Sequence, residues 1–405
     1  MSRYHEFFAR VAWPALTAAF ALVPYVVAAQ ERTNAVFTVN EIKTILSHGP
    51  WPATAPLDVT NRVSGKHEAV DFGTKLFFDE RLSGPGTKSC ATCHVPERNW
   101  TDNLRRSTGV AELKRNTPTL MNIAGSPWYG WDGAADSLWY QSLRPILDPR
   151  ELAASPGHVA QLVRSDADLA CRYRNAFGSP PAAGDDEAVF VNVGKALAAF
   201  QETLGSGRTP FDHFREALAK NAPPSAWHYS EAAQRGLKLF IGKAGCTNCH
   251  SGPNFTNGEF FSTGLSRHAP NGIADPGRAV GVRLALDSRF NLLGPYNDDR
   301  SGAGAAHTRS ALLEKADAGT ADFKVPSLRN LFLTSPYGRD GSIDTLADVV
   351  RHYAGADPTR LHAKDGQPGK PLNLSAAEQN DLVVFLESLS TFSNPWRPEH
   401  SEHCH

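Results

Sequence analysis

The chain has 405 residues, with 20% charged and 41% hydrophobic side chains and a formal net charge of −1. That is the composition of a globular chain long enough for two domains, not of a disordered one. No long run of one sign appears, so charge gives no footing for nucleic acid or an anionic membrane surface as partner.

At the start, the basic stretch MSRYHEFFAR precedes the apolar run VAWPALTAAFALVPYVVAA. Residues 1–29 read as a secretory signal peptide, with Val27-Ala28-Ala29 as the small-residue cleavage region. The run is nearly long enough to span a bilayer, so a retained anchor is the other reading. Pro14 and Pro24 inside it favour cleavage, as does the VAA end. No later segment is apolar enough to span. The expected product is an exported, periplasmic protein with no membrane span after cleavage, in which residues 30–60 form an N-terminal segment.

Six cysteines occur in the chain. In an exported protein their default fate is disulfide bonding, but four stand as Cys90-Ala91-Thr92-Cys93-His94 and Cys246-Thr247-Asn248-Cys249-His250. C-x-x-C-H is the attachment signal for c-type haem. Cysteines three apart lie on one side of a helical turn and can reach both vinyl groups of a porphyrin as thioethers. The histidine directly after is then placed under the ring to ligate iron. A zinc ribbon wants its CxxC pairs about 15 to 20 residues apart, and these pairs are much further apart. A thioredoxin-type CxxC wants a βαβ setting, which neither flank offers. Two covalent haems are expected, with His94 and His250 as iron ligands.

The flanks of the two motifs repeat. Gly73-Thr74-Lys75-Leu76-Phe77-Phe78 precedes the first and Gly236-Leu237-Lys238-Leu239-Phe240-Ile241 the second, each reading as a short amphipathic helix that leads into a haem loop. Residues 187–204 read as a further helix, and the stretch from Asn221 through Pro223 and Pro224 to Ser225 is a linker signal. The segment 265–322, rich in Gly, Asp and Ala, reads as a long surface excursion. Thr345 caps a helix, with Asp348 three residues on. Leu346, Val349, Val350 and Tyr353 share its inward face, and His352 lies about 100° round from Tyr353. On spacing alone Tyr353 merely ends an apolar stripe. A Ser375/Glu378 capping box opens a helix over 375–390, with Leu382, Val383, Phe385, Leu386 and Leu389 on one face. Strand-like alternation is scarce. The expected fold is mainly α, with two tandem cytochrome c-like haem domains with long loops over 61–220 and 221–405.

The stretches LFFDERLSGPGTKSCATCH, RNTPTLMN, WDGAADSL, CTNCHSGPNFTN and FKVPSLRNLFLTSPYGRDG resemble the bacterial di-haem cytochrome c peroxidase family, and within it the MauG- and MbnH-like members. The resemblance covers most of the chain beyond the signal. It implies an N-terminal haem that meets hydrogen peroxide and a C-terminal haem that stores or relays electrons. His94 matches the proximal ligand of the first and His250 that of the second. Trp131 matches the tryptophan between the haems. Glu151, in Asp148-Pro149-Arg150-Glu151, matches the distal glutamate, and a carboxylate there can move a proton between peroxide oxygens as general acid and base. Gln141 and Pro145 match distal-side positions. Asn116, with the carbonyls of Thr334 and Pro336, matches a calcium site between the domains, a hard-oxygen set that suits Ca²⁺.

Two departures from the family pattern point to a subgroup. Peroxidase members carry a histidine in the loop after the first CxxCH, whereas residues 95–115 contain none. The first haem is therefore expected to be five-coordinate or water-bound without reductive activation. Peroxidase members also place a methionine on the second haem, but this chain has only Met1 and Met121, and Met121 sits inside RNTPTLMN. Counting from the PY-x-x-DG segment, the methionine position falls on Tyr353, and MauG-like members carry tyrosine there. A tyrosinate is hard and anionic, and favours Fe(III) and higher states where a thioether raises the potential. Arg339 stands where the family usually has histidine, and its partner is open between a propionate and a backbone carbonyl.

Cys171 and Cys404 remain. An oxidising compartment would let them pair, but spacing gives no distance. The tail PEHSEHCH is either a metal-binding cluster or a solvated end. His67, His158, His213, His228, His268, His307 and His362 read as surface or structural residues. The resemblance implies an exported oxidoreductase that uses H₂O₂ to form a high-valent di-haem state and oxidises a partner protein. The alternatives are a cytochrome c peroxidase drawing on a small electron-donor cytochrome, and a di-haem electron-transfer protein without catalysis.

Overall fold

A computed structural model describes residues 37–53, 57–262, 264–265, 275–314, 322–355, 372–392 and 404. The expected signal segment, His268, His362 and the tail histidines lie outside the described residues. The helices, in chain order, are α1 (Val39–Leu46), α2 (His67–Phe77), α3 (Cys90–Cys93), α4 (Leu138–Leu147), α5 (Pro156–Ser165), α6 (Ala167–Phe177) and α7 (Asp186–Gln201). They continue with α8 (Pro210–Ala219), α9 (Glu231–Ile241), α10 (Arg278–Asp287), α11 (Ala306–Glu314), α12 (Leu346–Gly355) and α13 (Ala376–Glu387). Described β structure, isolated bridges apart, is one antiparallel pair, β1 (Phe260–Phe261) with β2 (Phe323–Lys324), in the register Phe260↔Lys324. The fold is mainly α.

Two apolar cores organise the chain. The first gathers Phe72, Phe77, Trp139, Phe190 and Phe200. Its spine is α7, buried at every residue from Val189 to Gln201 because α2, α4 and α5 pack around it. A helix covered on all sides shows no amphipathic stripe. The second core gathers Phe211, Phe214, Phe240, Phe255 and Phe385. The two cores exchange segments. Phe37 and Ile45, early in the chain, lie in the second, while Phe290, Leu292 and Ala305 lie in the first.

The sequence repeat has a geometric cause. Where α2 crosses α7, a Cβ on Gly73 would stand 2.0 Å from the Ala196 carbonyl oxygen. Where α9 crosses α13, a Cβ on Gly236 would stand 2.0 Å from the Asp381 carbonyl oxygen. Only glycine lets these backbones meet. Beyond each crossing a phenylalanine pair closes the contact, Phe77 with Phe200 at 5.0 Å between ring centroids and Phe240 with Phe385 at 4.8 Å.

The expectation of a surface excursion over 265–322 is corrected for its described part. Val282 and Ala285 of α10 are fully buried and cluster with Trp128, while Phe290 and Leu292 enter the first core. The cause is a buried cation: the Arg278 guanidinium lies 4.0 Å from the ring centroids of both Trp128 and Phe260, in the angle between them, and donates to the Gly133 carbonyl at 3.0 Å. A charge satisfied by aromatic faces hides an inward helix face from any hydropathy reading. Cys171 and Cys404, left open by the sequence, form a disulfide with Cα atoms 5.7 Å apart, and the Cys404 N–H donates to Asp168 at 2.8 Å. No helix among the described residues is long and apolar enough to cross a membrane.

Candidate active site

The first Cys-x-x-Cys-His forms α3, the single turn that its spacing demands. The His94 N–H donates to the Cys90 carbonyl at 3.0 Å, and the second motif repeats the bond from His250 to Cys246 at 2.9 Å. Neither cysteine pair closes on itself as a disulfide. Burial pushes the Cys90 thiol up to about 12 and Cys93 to about 11, and Cys246 to about 12, so each is a protonated, sheltered thiol. His94 Nδ1 faces the Trp100 carbonyl at 3.0 Å, and His250 Nδ1 faces the Phe255 carbonyl at 3.0 Å. A carbonyl can only accept, so Nδ1 carries the proton and Nε2 the lone pair in both rings, which is the tautomer an iron ligand needs. The residues present therefore fit two covalently attached haems.

Glu151 comes to the first motif from the turn after α4. Pro145 inside that helix has no N–H to give the Gln141 carbonyl, and its own carbonyl accepts from Leu152 at 3.1 Å as the chain folds back. The Glu151 carboxylate has no hydrogen-bond or ion-pair partner among the described residues. Burial, then the neighbouring charge of Asp148, raises it to about 7, against the opposing pull of Arg144 and Arg150. It lies close enough to Cys90 and Cys93 for its charge to act on both thiols. Gln141 Oε1 accepts from Arg144 at 3.2 Å and rests against the turn at Gly130, just before Trp131.

Tyr353, on α12, stands beside the second motif. Burial raises its phenol to about 12, and the Cys246 and Cys249 thiols act in the same direction. Leu346 and Val350 on the same helix face are buried in the second core. The neighbouring His352 is partly buried, with its ring edge-on to Tyr353. Met121 is packed in the first core, away from that helix.

Trp131 ties the two halves together. Its Nε1 donates to the Asn116 carbonyl at 2.9 Å, its own carbonyl accepts from the Lys324 N–H at 2.8 Å, and the Asn116 N–H donates to the Arg339 carbonyl at 2.7 Å. Alongside, Asn103 Nδ2 donates to the carbonyls of Leu333 and Ser335 at 3.1 and 2.8 Å. Asn116, Thr334 and Pro336 thus lie at one junction of first-half and second-half segments. Asn116 Nδ2 donates to the Leu104 carbonyl at 2.7 Å, which leaves Oδ1 as its acceptor atom. Arg339 is 5% exposed. It lies 4.1 Å over the Phe323 ring and 3.8 Å from Asp275, a carboxylate it shares with Arg115.

Sequence reasoning missed three buried residues under the second motif. His48 is fully buried, with Nδ1 3.1 Å from the Gly252 carbonyl and Nε2 3.1 Å from Thr247 Oγ1. Burial holds its imidazole below the usual histidine range. Arg329, in the quoted PSLRN stretch, donates to both Asp212 oxygens at 2.9 Å and to the Pro253 carbonyl at 2.7 Å. Both partners of that ion pair are sealed from solvent, at 0% and 1% side-chain exposure. No spacing rule links residues 48, 212 and 329 to a motif at 246–250, so no local signal pointed to them.

A family model described as di-haem cytochrome c peroxidase matches residues 67–220. The chain is 36% identical over 326 residues to the methylamine utilization protein MauG of Methylorubrum extorquens, covering 80% of this chain and 78% of that protein. It is 32% identical over 336 residues to the cytochrome-c peroxidase IdrP2 of Pseudomonas sp. strain SCT, covering 81% and 82%. Among solved structures, a MauG-like protein associated with microbial copper homeostasis superposes with a TM-score of 0.61 at 28% identity, covering 86% of this chain and 99% of that one.

Proposed function

This chain belongs to the di-haem cytochrome c peroxidase family, whose members are peroxidase oxidoreductases with two c-type haems, and we propose that it is an exported, periplasmic enzyme of the MauG/MbnH kind that uses hydrogen peroxide to oxidise a partner protein. When bound, the haems supply two redox-active irons, held through Cys90, Cys93 and His94 on one side and Cys246, Cys249, His250 and Tyr353 on the other.

The observation that carries this reading is the placement of Tyr353 beside Cys246 and Cys249, with Met121 packed in the other core. Burial alone keeps the proton on Tyr353, so only a cation at its oxygen would hold it as phenolate. A hard anionic ligand suits a site that accumulates oxidising equivalents better than one that accepts electrons from a cytochrome. Glu151, half-buried beside the first motif with a carboxyl near neutrality, takes a proton from one peroxide oxygen and returns it to the other. Gln141 and Pro145 shape that side, and Trp131 is the bridge for electrons between the halves. Asn116 and the carbonyls of Thr334 and Pro336 are assigned to Ca²⁺, supported by the convergence of both halves at that junction. The disulfide between Cys171 and Cys404 supports an oxidising compartment.

The test compares the holoprotein with Tyr353→His. The parent is expected to show one high-spin and one low-spin ferric haem, the low-spin spectrum changing in the variant, and peroxide consumption without steady turnover of a reduced small cytochrome. Identical spectra would remove the tyrosinate. Sustained cytochrome oxidation would favour the plain peroxidase reading, for which the likeness to a named cytochrome-c peroxidase speaks.

A further inference from the structure

The two proximal loops share a feature that the sequence repeat does not display. In each, the carbonyl that accepts from the histidine Nδ1 belongs to an aromatic residue in the left-handed region, Trp100 at φ 61° and Phe255 at φ 50°. A bulky residue occupies that region only when its surroundings hold it there. The supports differ between the loops. Beside Trp100, the Thr119 hydroxyl donates to the Asn99 carbonyl at 2.6 Å, and the Trp100 ring packs edge-on against Phe77 and Phe200. Around Phe255 the support comes from far away in sequence.

His48 lies face to face with Phe255, ring centroids 4.5 Å apart and planes 10° from parallel. Because the Gly252 carbonyl can only accept, His48 Nδ1 is the donor there and Nε2 is an acceptor, so the Thr247 hydroxyl donates to Nε2. One fully buried imidazole thus grips the loop at three points: Thr247 between the two cysteines, Gly252 just beyond His250, and the ring of the residue whose carbonyl orients His250. Gly252 accepts a second bond from the Phe255 N–H at 3.1 Å, so the His48 contact bears on the same turn that sets the Phe255 carbonyl.

The geometry points to His48 as a positioning residue for the second haem: by fixing the Phe255 carbonyl against His250 Nδ1–H, it sets the donor strength of that imidazole and hence the reduction potential of one haem but not the other. The physical basis is that a hydrogen bond at the far nitrogen raises the basicity of a ligating histidine, and a more basic ligand favours the ferric state. This inference rests on the reading of Cys246, Cys249 and His250 as a haem attachment site.

The experiment is spectroelectrochemistry and electron paramagnetic resonance of the holoprotein, with haem content per chain measured first. His48→Phe keeps the stack on Phe255 and deletes both hydrogen bonds. Thr247→Val deletes one of them without changing side-chain shape. Phe37→Leu perturbs the same N-terminal segment through the Phe37 ring contact with Phe214 while leaving the loop bonds in place. The expected result is a rise in the midpoint potential of the second haem in His48→Phe, a smaller rise in Thr247→Val, altered low-spin g values in both, and no movement of the first haem. Phe37→Leu should lower thermal stability and leave both potentials alone. The proposal is overturned if both haems move together, if Phe37→Leu moves the second haem as far as His48→Phe does, or if two-haem preparations of His48→Phe and Thr247→Val keep the parent potentials. Should His48→Phe fail to accumulate, Thr247→Val alone decides. A parent with fewer than two haems would instead defeat the attachment reading.

Discussion

Glu151→Gln should move activity and stability in opposite directions, and the pH dependence separates the two. The carboxyl is raised from 4.5 to about 7, chiefly by burial. Between those values the folded protein holds a proton that the unfolded chain has released. Stability attributable to this group is therefore present below about 4.5 and is lost as pH rises towards 7. At about 1.4 kcal/mol per tenfold change in equilibrium, the ionised carboxylate costs up to about 3 kcal/mol above neutrality. Glutamine carries no such cost. Denaturation of the two holoproteins at pH 8 should find the variant more stable by up to about 3 kcal/mol, and at pH 4.5 the curves should coincide. Peroxide chemistry runs the other way. A base must be ionised, so the rate of reaction with H₂O₂ in the parent should climb with pH and level off above about 7, the value to which burial raises the carboxyl. In the variant the rate should fall by roughly 10²- to 10⁴-fold and lose that inflection. Stopped-flow measurement across pH 5 to 9 reads both, with that window set around the raised carboxyl. A variant that reacts with peroxide at the parental rate would refute the proton-transfer role, and pH-independent stability differences would refute the burial behind it.

Three other perturbations test the scaffold. Asp212→Asn leaves the Arg329 guanidinium buried without its counter-charge, and should destabilise the protein by about 3 to 5 kcal/mol in chemical denaturation; a loss below about 1 kcal/mol would mean the pair relaxes into solvent. Gly236→Ala forces a methyl to within 2.0 Å of the Asp381 carbonyl oxygen. It should cost at least about 1 to 3 kcal/mol, with Gly73→Ala behaving alike, and a neutral outcome would show that the helix crossings are loose. Treatment with a calcium chelator should lower thermal stability and alter coupling between the haems if Asn116, Thr334 and Pro336 hold an ion, and calcium should restore both; a melting curve blind to chelation would remove that assignment.

What could be read from the sequence was whatever lay within one turn or one face of a helix. The Ser375/Glu378 box caps α13 as its spacing requires, Thr345 and Asp348 cap α12, and both Cys-x-x-Cys-His turns close as the motif demands. The helix face of Tyr353 could be read because it lies seven residues from Leu346 on a periodic stripe, but its assignment to the second haem came from the family resemblance, since spacing alone only ends the stripe there. The misses share the opposite property. Val282 and Ala285 are buried beside a buried arginine, so their helix face carries no apolar signature. Cys171 and Cys404 are joined across 233 positions. His48 reaches a loop about two hundred residues away, and only folding reveals that it does.

Those misses matter because the local repeat makes the two halves alike, and function requires them to differ. Gly73 and Gly236 build equivalent helix crossings, and Trp100 and Phe255 offer equivalent carbonyls to their histidines. The differences are supplied by residues outside the repeat. A carboxylate with no hydrogen-bond or ion-pair partner among the described residues, Glu151, stands beside the first motif. A phenol, a buried imidazole and a sealed arginine–aspartate pair surround the second. On the proposed reading, a carboxyl that can exchange protons beside the first motif, and a second motif whose loop is held from several directions, would let two similar haem scaffolds take unequal tasks. Trp131, bonded to Asn116 in one half and Lys324 in the other, then lies where a change in either half is felt by both.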